Sequence, residues 1–220
     1  MSTEEVDPDG RRRRTARSRE AMASAAYELL LERGLDGVSV EEIADRAGVT
    51  RRTFSRHFSG KEEAVLGRVS EDAHRINDAL RLRPAGEPPL TAYRNAVRDW
   101  LASEYGGASR TESQRRQELA RRLELFRRFA TEPALFAAYQ RIRVEAEAES
   151  VRIIAEREGL DPVRDPRPAV AVGAGAGTLI AALRAWAAGE DADALPGLVA
   201  EFFGALAGLL PAAQAPTERQ

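Results

Sequence analysis

The sequence predicts an all-α fold in two parts, an N-terminal three-helix domain that contains a helix-turn-helix and a C-terminal helical bundle. Alanine, leucine, glutamate and arginine are abundant among the 220 residues, and all four favour helices. No segment shows the alternation of apolar and polar residues that indicates a β-strand. The clearest break is at residues 83–89, where three prolines and a glycine separate two helical segments.

The first two helices are predicted from an apolar repeat and a capping pattern. Residues 15–33 carry apolar side chains at helical spacing, and the helix ends before Gly34. Ser39 and Glu42 have the spacing of a capping box, in which each side chain bonds the backbone of the other residue. We therefore expect the second helix to begin at about Val40.

A glycine turn separates the second helix from the third. Gly48 can adopt the left-handed conformation that such a turn requires. Thr50 can cap a third helix that runs to Phe58. Residues 59–62 repeat the capping-box spacing, which predicts a fourth helix continuing to about residue 83.

Five more helices are predicted in the C-terminal part, at residues 90–105, 111–131, 133–158, 168–188 and 195–210. A proline-rich loop lies between the third and fourth of these. The predicted organisation is a disordered tail at 1–14, a helix-turn-helix domain at 15–62, a ligand-binding and dimerisation domain at 63–211, and a disordered tail at 212–220.

Composition restricts the class of function. Hydrophobic residues make up 43% and charged residues 31% of the chain, so it can bury a core and is not a disordered polymer. There is no cysteine and there are only two histidines, so no thiol chemistry and no metal site are expected. No nucleophile elbow, metal-ligand spacing or phosphate-binding loop is present. We expect no catalytic residue and no cofactor, so the chain is not predicted to be an enzyme.

The net charge of −2 is the sum of unlike segments. Residues 1–10 contain four acidic side chains and no basic one. Residues 11–61 are net positive, with eleven arginines and the only lysine, whereas residues 62–220 are net negative. A basic N-terminal quarter beside an acidic body predicts an anionic partner at one end.

No membrane or targeting segment is expected. Residues 169–188 are almost entirely apolar, but they are mostly alanine and glycine and include Arg184, which disfavours insertion. Residues 1–10 are acidic and lack the apolar stretch of a signal peptide. We expect a cytoplasmic protein.

The second and third helices with their glycine turn form a helix-turn-helix, whose second helix enters the major groove of DNA. Arginine can donate two hydrogen bonds to guanine or pair with a phosphate, and serine and threonine suit phosphates or the thymine methyl group. Lys61, in the first turn of the fourth helix, is placed to attract a phosphate. The outward residues of the third helix and its start are Thr50, Arg51, Arg52, Thr53, Ser55 and Arg56.

Residues 15–66 resemble the DNA-binding domain of the TetR family, through VEEIADRAGVT at 40–50 and TFSRHFSGKE at 53–62. The resemblance implies an all-helical homodimer that binds double-stranded operator DNA and, in most members, represses transcription until an effector binds. Where that family usually has a tyrosine that contacts phosphate, this chain has Ser55. The candidate DNA-binding residues are Ser39, Thr50, Arg51, Arg52, Thr53, Ser55, Arg56, His57 and Lys61.

The arginines at 11–14 allow two interpretations. They can form a disordered solubilising segment, or an arm that reaches an adjacent minor groove or row of phosphates.

The C-terminal part is predicted to hold a pocket for a small apolar effector, because a helical bundle of this size can enclose one. The candidate wall residues are Trp100, Phe126, Phe129, Tyr139 and Trp186. Arginine pairs in the 111–131 helix are either solvated partners in ion pairs or contacts for a nucleotide-tailed ligand. The sequence from residue 132 to Trp186 also resembles TetR relatives that sense acyl-coenzyme A-like molecules.

Three glycines, Gly173, Gly175 and Gly177, lie within one predicted helix. A dinucleotide-binding fingerprint would need another glycine at the position of Thr178, so the three glycines indicate a packing role instead. Gly173 and Gly177 form a Gly-x-x-x-Gly pair that suits close helix packing, either in a dimer interface, as the TetR resemblance implies for the last two helices, or in a ligand-facing wall. Together with the helix-turn-helix, the TetR resemblance implies a homodimeric, ligand-responsive repressor of transcription that binds a palindromic operator. The alternative is a helical enzyme or ligand-sequestering protein with a repurposed helix-turn-helix domain.

Overall fold

A computed structural model describes the backbone of residues 8–105 and 111–209, and the side chains of residues 13–103 and 111–209. This part of the chain is helical and contains no β-strand, which confirms the predicted all-α fold. The α-helices are α1 (Pro8–Arg33), α2 (Val40–Arg46), α3 (Arg51–Ser55), α4 (Lys61–Val65), α5 (Gly67–Arg81), α6 (Pro89–Tyr105), α7 (Glu112–Arg128), α8 (Pro133–Glu158), α9 (Arg167–Ala188) and α10 (Leu195–Leu209), with a 3₁₀ turn at Ala192–Ala194.

The predicted N-terminal tail is wrong over residues 8–14, where α1 has already begun. Proline is tolerated in the first turn of a helix, and the arginines that follow are good helix formers. Arg13 and Arg14 are exposed on α1. Residues 1–7 and 212–220 of the predicted tails lie outside the described residues.

The predicted fourth helix is interrupted at Leu66, which divides it into α4 and α5. Gly67 lies against α1, and a Cβ atom there would be 2.6 Å from the Cβ of Ala23. The predicted second capping box is also wrong. Gly60 is the N-cap of α4, and Glu63, not Glu62, accepts hydrogen bonds from the backbone and hydroxyl of Ser59.

The chain divides into two compact units, one of Met1–Ala73 with Thr131–Val144 and one of His74–Ala130 with Glu145–Gln220. In the first unit, α1 packs against α2 and α4, and α2 packs against α3. Arg33 and Arg46 reinforce the α1–α2 packing through ion pairs with Glu42 and Glu32, each at 2.8 Å. Its largest fully buried side chains include Met22, Leu29, Leu30, Ile43, Phe54 and Leu66.

In the second unit, α9 packs against α6, α7 and α10. Gly175 allows the close approach of α9 to α6, because a Cβ atom at this position would overlap the Tyr93 ring. The packing role predicted for the glycines therefore holds for Gly175. Gly173 and Gly177 are exposed, and a Cβ atom at either would meet nothing within 4 Å.

Two helical stretches, Arg167–Ala188 and Ala192–Leu209, are long and apolar enough to cross a membrane by length and composition alone. Core helices of soluble proteins meet the same criterion, and α9 buries Val172, Ala176, Ala182 and Trp186. In contrast, α10 keeps most of its small apolar side chains exposed.

Candidate nucleic-acid interface and ligand cleft

The start of α2 is held by the predicted capping box. The Ser39 hydroxyl accepts a hydrogen bond from the Glu42 backbone at 3.2 Å, and a Glu42 carboxylate oxygen accepts one from the Ser39 backbone at 3.1 Å. Hydrogen bonds from Ser39 and then from Arg33 lower the pKa of Glu42 below its ordinary value. The hydroxyl of Ser39, a predicted DNA contact, is therefore engaged in capping the helix.

The turn between α2 and α3 depends on Gly48, whose φ of 66° lies in the left-handed region that favours glycine. The Val49 backbone donates to the Ala44 carbonyl at 2.9 Å, which closes the turn. Below it, the rings of Phe54 and Phe58 are buried with centroids 5.6 Å apart. These contacts fix the orientation of α3 on α2.

Thr50 caps α3, as the sequence predicts. Its hydroxyl oxygen accepts a hydrogen bond from the Thr53 backbone at 3.1 Å and lies 3.0 Å from the Thr53 hydroxyl. The helix ends at Ser55, three residues earlier than predicted, and continues as a turn in which the His57 backbone bonds the Phe54 carbonyl. The recognition element is therefore one short helix followed by a turn.

The outward face of α3 is basic. Arg51, Arg52 and Arg56 are exposed, as is Ser55, whose hydroxyl donates to the Arg51 carbonyl at 3.1 Å. Arg51 forms an ion pair with Glu41 at 2.7 Å. In the part of the chain that is described, the side chains of Arg52 and Arg56 have no ion-pair or hydrogen-bond partner. Their guanidinium groups are thus available to bases and phosphates.

His57 lies beside this face. Its carbonyl accepts a hydrogen bond from Arg19 at 2.8 Å, and the same guanidinium lies 4.5 Å from the Phe58 ring centroid. Burial, followed by the positive charges of Arg19 and Arg56, lowers the pKa of His57 below its ordinary value. The lowered pKa favours the neutral imidazole, which can donate one hydrogen bond to a phosphate.

Lys61 has a structural role that its sequence position does not reveal. Its ammonium group donates to the carbonyls of Leu35 at 2.8 Å and Val38 at 3.1 Å. These carbonyls belong to the connection between α1 and α2, so Lys61 ties α4 to that connection. A phosphate contact would use its remaining donor.

The predicted aromatic wall residues are mainly core residues. Trp186 is fully buried and donates from Nε1 to the Ala192 carbonyl at 3.1 Å. The ring centroid of Phe126 lies 6.0 Å from that of Trp186 and 5.0 Å from that of Phe129. Trp100 is buried, with the Arg122 guanidinium 6.0 Å from its ring. The fifth candidate, Tyr139, belongs to the other compact unit.

The second unit also contains a cleft of about 470 Å³, which involves none of these aromatic residues. It lies between α6 and α10 with a contribution from α7. Its α6 residues recur at intervals of three to four, as expected for one helix face. Its lining residues are Arg94, Asn95, Arg98, Leu101, Ala102, Arg115, Pro196, Val199, Ala200, Phe203 and Gly204.

The arginine pairs of α7 are mostly engaged within the protein. Arg115 and Arg116 pair with Glu112 and Asp193, and Arg127 donates to the carbonyls of Ala187 and Gly189. These contacts favour the interpretation of α7 as a helix with ion pairs. Among the described residues, no group of three or more histidine, cysteine or acidic side chains could hold a metal ion.

Comparison with known proteins gives matches along most of the chain. The family profile described as bacterial regulatory proteins, tetR family, matches residues 23–66, and the profile of the MftR C-terminal domain matches residues 87–211. The HTH-type transcriptional regulator TcmR of Streptomyces glaucescens is 37% identical over 206 residues, or 93% of this chain and 88% of TcmR.

Two further relatives have more specific descriptions. The HTH-type transcriptional activator FasR of Mycolicibacterium smegmatis is 36% identical over 87 residues, which are 38% of this chain and 40% of FasR. The structure of FadR from Thermus thermophilus, a TetR-family transcriptional repressor in complex with lauroyl-CoA, has a TM-score of 0.50 and 24% identity. That match covers 92% of this chain and 100% of FadR, and it shows a shared fold.

Proposed function

The chain belongs to the TetR family of bacterial transcriptional regulators, and we propose that it is a homodimeric repressor that a small molecule releases from a near-palindromic operator. As a DNA-binding regulator it is not an enzyme, which excludes the enzymatic alternative. We assign DNA binding to residues 15–62, and ligand binding and dimerisation to residues 63–211. The proposed location is the cytoplasm, where the operator is accessible.

The observation that carries the DNA-binding proposal is the exposed basic face of α3. Arg52 and Arg56 are fully available, and Arg51 can exchange its surface ion pair with Glu41 for a phosphate or a guanine edge. Thr50, Thr53 and Ser55 border the same surface, and His57 and Lys61 follow it in the chain. In a two-fold dimer, two such helices would enter successive major grooves about one helical turn apart.

The test begins with operator selection from a random duplex library, followed by binding measurements at fixed salt. We expect Arg52→Ala and Arg56→Ala each to weaken specific binding by about 1–3 kcal/mol if they contact bases. Arg164→Ala, which removes one exposed arginine from the loop before α9, is the matched control and should bind as the parent chain does. Parent-like specific affinity in both α3 variants would contradict the assignment of α3 as the recognition helix.

We propose that the effector is a small hydrophobic or acyl-CoA-like molecule that binds in the C-terminal domain. Trp100, Phe126, Phe129, Tyr139 and Trp186 remain the proposed apolar contacts. A repressor is released only if the effector binds the DNA-incompetent state more tightly than the DNA-bound state. FadR with its bound lauroyl-CoA suggests the first compound to test.

The two tryptophans of the chain, Trp100 and Trp186, are both proposed contacts, so their fluorescence reports on this region. An acyl-CoA effector should change this emission at the concentration that releases DNA. A reporter gene under the selected operator then gives the direction of regulation. Release of DNA with increased expression supports a repressor, whereas decreased expression on effector binding would identify an activator.

A further inference from the structure

The cleft between α6 and α10 is positively charged along its lining. Arg94, Arg98 and Arg115 contribute three guanidinium groups, and none of the described lining residues carries a carboxylate. Arg98 contacts Asp99 at 3.1 Å, and Arg115 contacts Glu112 at 2.5 Å and is near Asp193. Arg94 has no ion-pair or hydrogen-bond partner among the described residues. The cleft therefore has a cationic edge with unused donors.

The other walls of the cleft are apolar. Leu101 and Ala102 continue the α6 face, and Val199 and Phe203 are buried side chains of α10. On the same helix, next to Val199 and Phe203, the exposed residues Pro196, Ala200 and Gly204 are small and leave the cleft open. An apolar group in this space would cover the exposed Ala102, Pro196 and Ala200 and the small remaining exposed surface of Leu101, Val199 and Phe203.

The polar part of the cleft floor is fixed in advance. Asn95 is 8% exposed, and its amide donates to Glu87, which is in turn held by Arg83 through hydrogen bonds of 2.7 and 3.1 Å. The Asn95 side chain, which lies between Arg94 and Arg98 along α6, is thus held in place without any ligand. A preformed cleft loses less conformational entropy on binding.

From this arrangement we infer that the α6–α10 cleft is a binding site for an amphipathic carboxylate, distinct from the proposed aromatic contacts. The carboxylate pairs with Arg94 and Arg98, which are one helical turn apart on α6. The guanidinium geometry suits a planar carboxylate, which can accept two parallel hydrogen bonds. The apolar body of the ligand lies on Leu101, Val199 and Phe203.

Carboxylate binding in this cleft depends neither on DNA binding nor on release from DNA. The cleft site and the proposed repressor function can therefore each fail without the other. The competing occupant is a second copy of this chain, which would cover the same residues of α10 and could bring an exposed carboxylate such as Glu201. The experiment therefore measures ligand binding and oligomeric state on the same variants.

The test is calorimetric titration of the full chain with decanoate and, as the uncharged comparison, 1-decanol. We expect decanoate to bind at one site per chain. 1-Decanol should bind at least about tenfold more weakly, because it cannot form the charge-assisted hydrogen bonds. Arg94→Ala should weaken decanoate binding about tenfold, while Arg94→Lys retains part of the affinity because it retains the charge.

Two further variants locate the site. Ala200→Trp places an indole in the cleft from an exposed position and should abolish decanoate binding with the fold retained in circular dichroism. Arg152→Ala removes an exposed arginine of α8 outside the lining, with no ion-pair partner in common with the lining arginines, and should bind decanoate as the parent does. Decanoate binding that survives both Ala200→Trp and Arg94→Ala would overturn the site. Absence of decanoate binding by the parent chain would also overturn the site. If Ala200→Trp then loses self-association, the cleft is a contact between copies of the chain.

Discussion

Polar residues of the helix-turn-helix divide into those that hold the fold and those that are available to a partner. The hydroxyls of Ser39 and Thr50 cap α2 and α3, and the Lys61 ammonium bonds two loop carbonyls. Arg52 and Arg56 make no such contact in the described structure. The same sequence motif therefore contains residues that position the recognition helix and residues that can read DNA.

Lys61→Met separates these two roles. Loss of two hydrogen bonds from a charged donor should lower the free energy of unfolding by about 1–3 kcal/mol, because the Val38 carbonyl loses this donor and the Leu35 carbonyl keeps only the Val38 backbone N–H. The measurement is urea unfolding, with Arg56→Met as the control that removes an unpartnered cation and should change stability by about 0.5 kcal/mol or less. Equal stability of the two variants would show that the Lys61 ammonium does not hold the loop.

Among the helices, close approach is decided by single small residues. Gly67, the first residue of α5, lies against Ala23 of α1. Gly175 of α9 lies against Tyr93 of α6. Helical propensity alone would favour alanine at both positions. Their glycines are explained by the neighbouring helix and not by the local backbone.

Gly175→Ala should therefore destabilise the chain by about 1–3 kcal/mol through overpacking against Tyr93, although alanine is the better helix former. Gly173→Ala is the matched control on the same helix, because a Cβ atom there meets nothing within 4 Å. At protein concentrations too low for self-association, it should be neutral or stabilising by up to about 1 kcal/mol. Thermal unfolding of both variants tests the difference, and a stabilising Gly175→Ala would refute the close contact.

The loop between α5 and α6 is held by an ion network. The Arg83 guanidinium donates hydrogen bonds to Glu87 and, at 2.7 Å, to Asp99. Arg157 in turn donates to the Arg83 carbonyl at 2.6 Å and to the Pro84 carbonyl at 2.9 Å. The hydrogen bond from Arg83, with a smaller contribution from Asn95, lowers the pKa of Glu87 below its ordinary value. Folding thus favours the ionised form of this carboxyl.

The stabilisation from Glu87 should be complete above the pKa of the unfolded chain and be lost as the pH falls through the lower pKa of the folded chain. Glu87→Gln should lower Tm by a few degrees at pH 7, and the difference from the parent should shrink as the pH falls below about 4. Thermal scans of both chains across this range provide the measurement. A Tm difference that does not change with pH would rule out the charge of Glu87 as its cause.

At the scale of the molecule, α9 and α10 expose faces of small residues that the packing of a single chain does not explain. Gly173, Gly177 and Ala181 lie along one exposed side of α9, and outside the cleft lining α10 exposes Gly197, Ala205 and Gly208. Small side chains let helices approach closely, as the proposed homodimer requires.

Ala181→Glu would place a charge on that face of α9. If two copies meet there, the carboxylate would be buried without a partner, and we expect the dimer dissociation constant to rise at least about tenfold. Sedimentation equilibrium measures this, with Ala85→Glu in the exposed loop after α5 as the charge-matched control. Unaltered self-association in Ala181→Glu would place the contact between copies elsewhere.

The sequence by itself determined the helical class, most helix limits and the helix-turn-helix, because these follow from local propensity, caps and one glycine turn. Pro133–Glu158 was predicted to the residue, and the Ser39–Glu42 capping box fixed the start of α2. These signals lie within a few residues of one another along the chain.

Only the tertiary structure decided which polar groups are already bonded and where open space remains. Lys61 reaches carbonyls 26 and 23 residues away, and the cleft joins α6 to a helix about a hundred residues later. The spacing of Arg94, Arg98 and Leu101 is that of one helix face, but no nearby residue indicates what lies opposite this face. The sequence did not show that Trp186, a proposed ligand contact, is fully buried in the core, because burial depends on packing between helices that are distant in sequence.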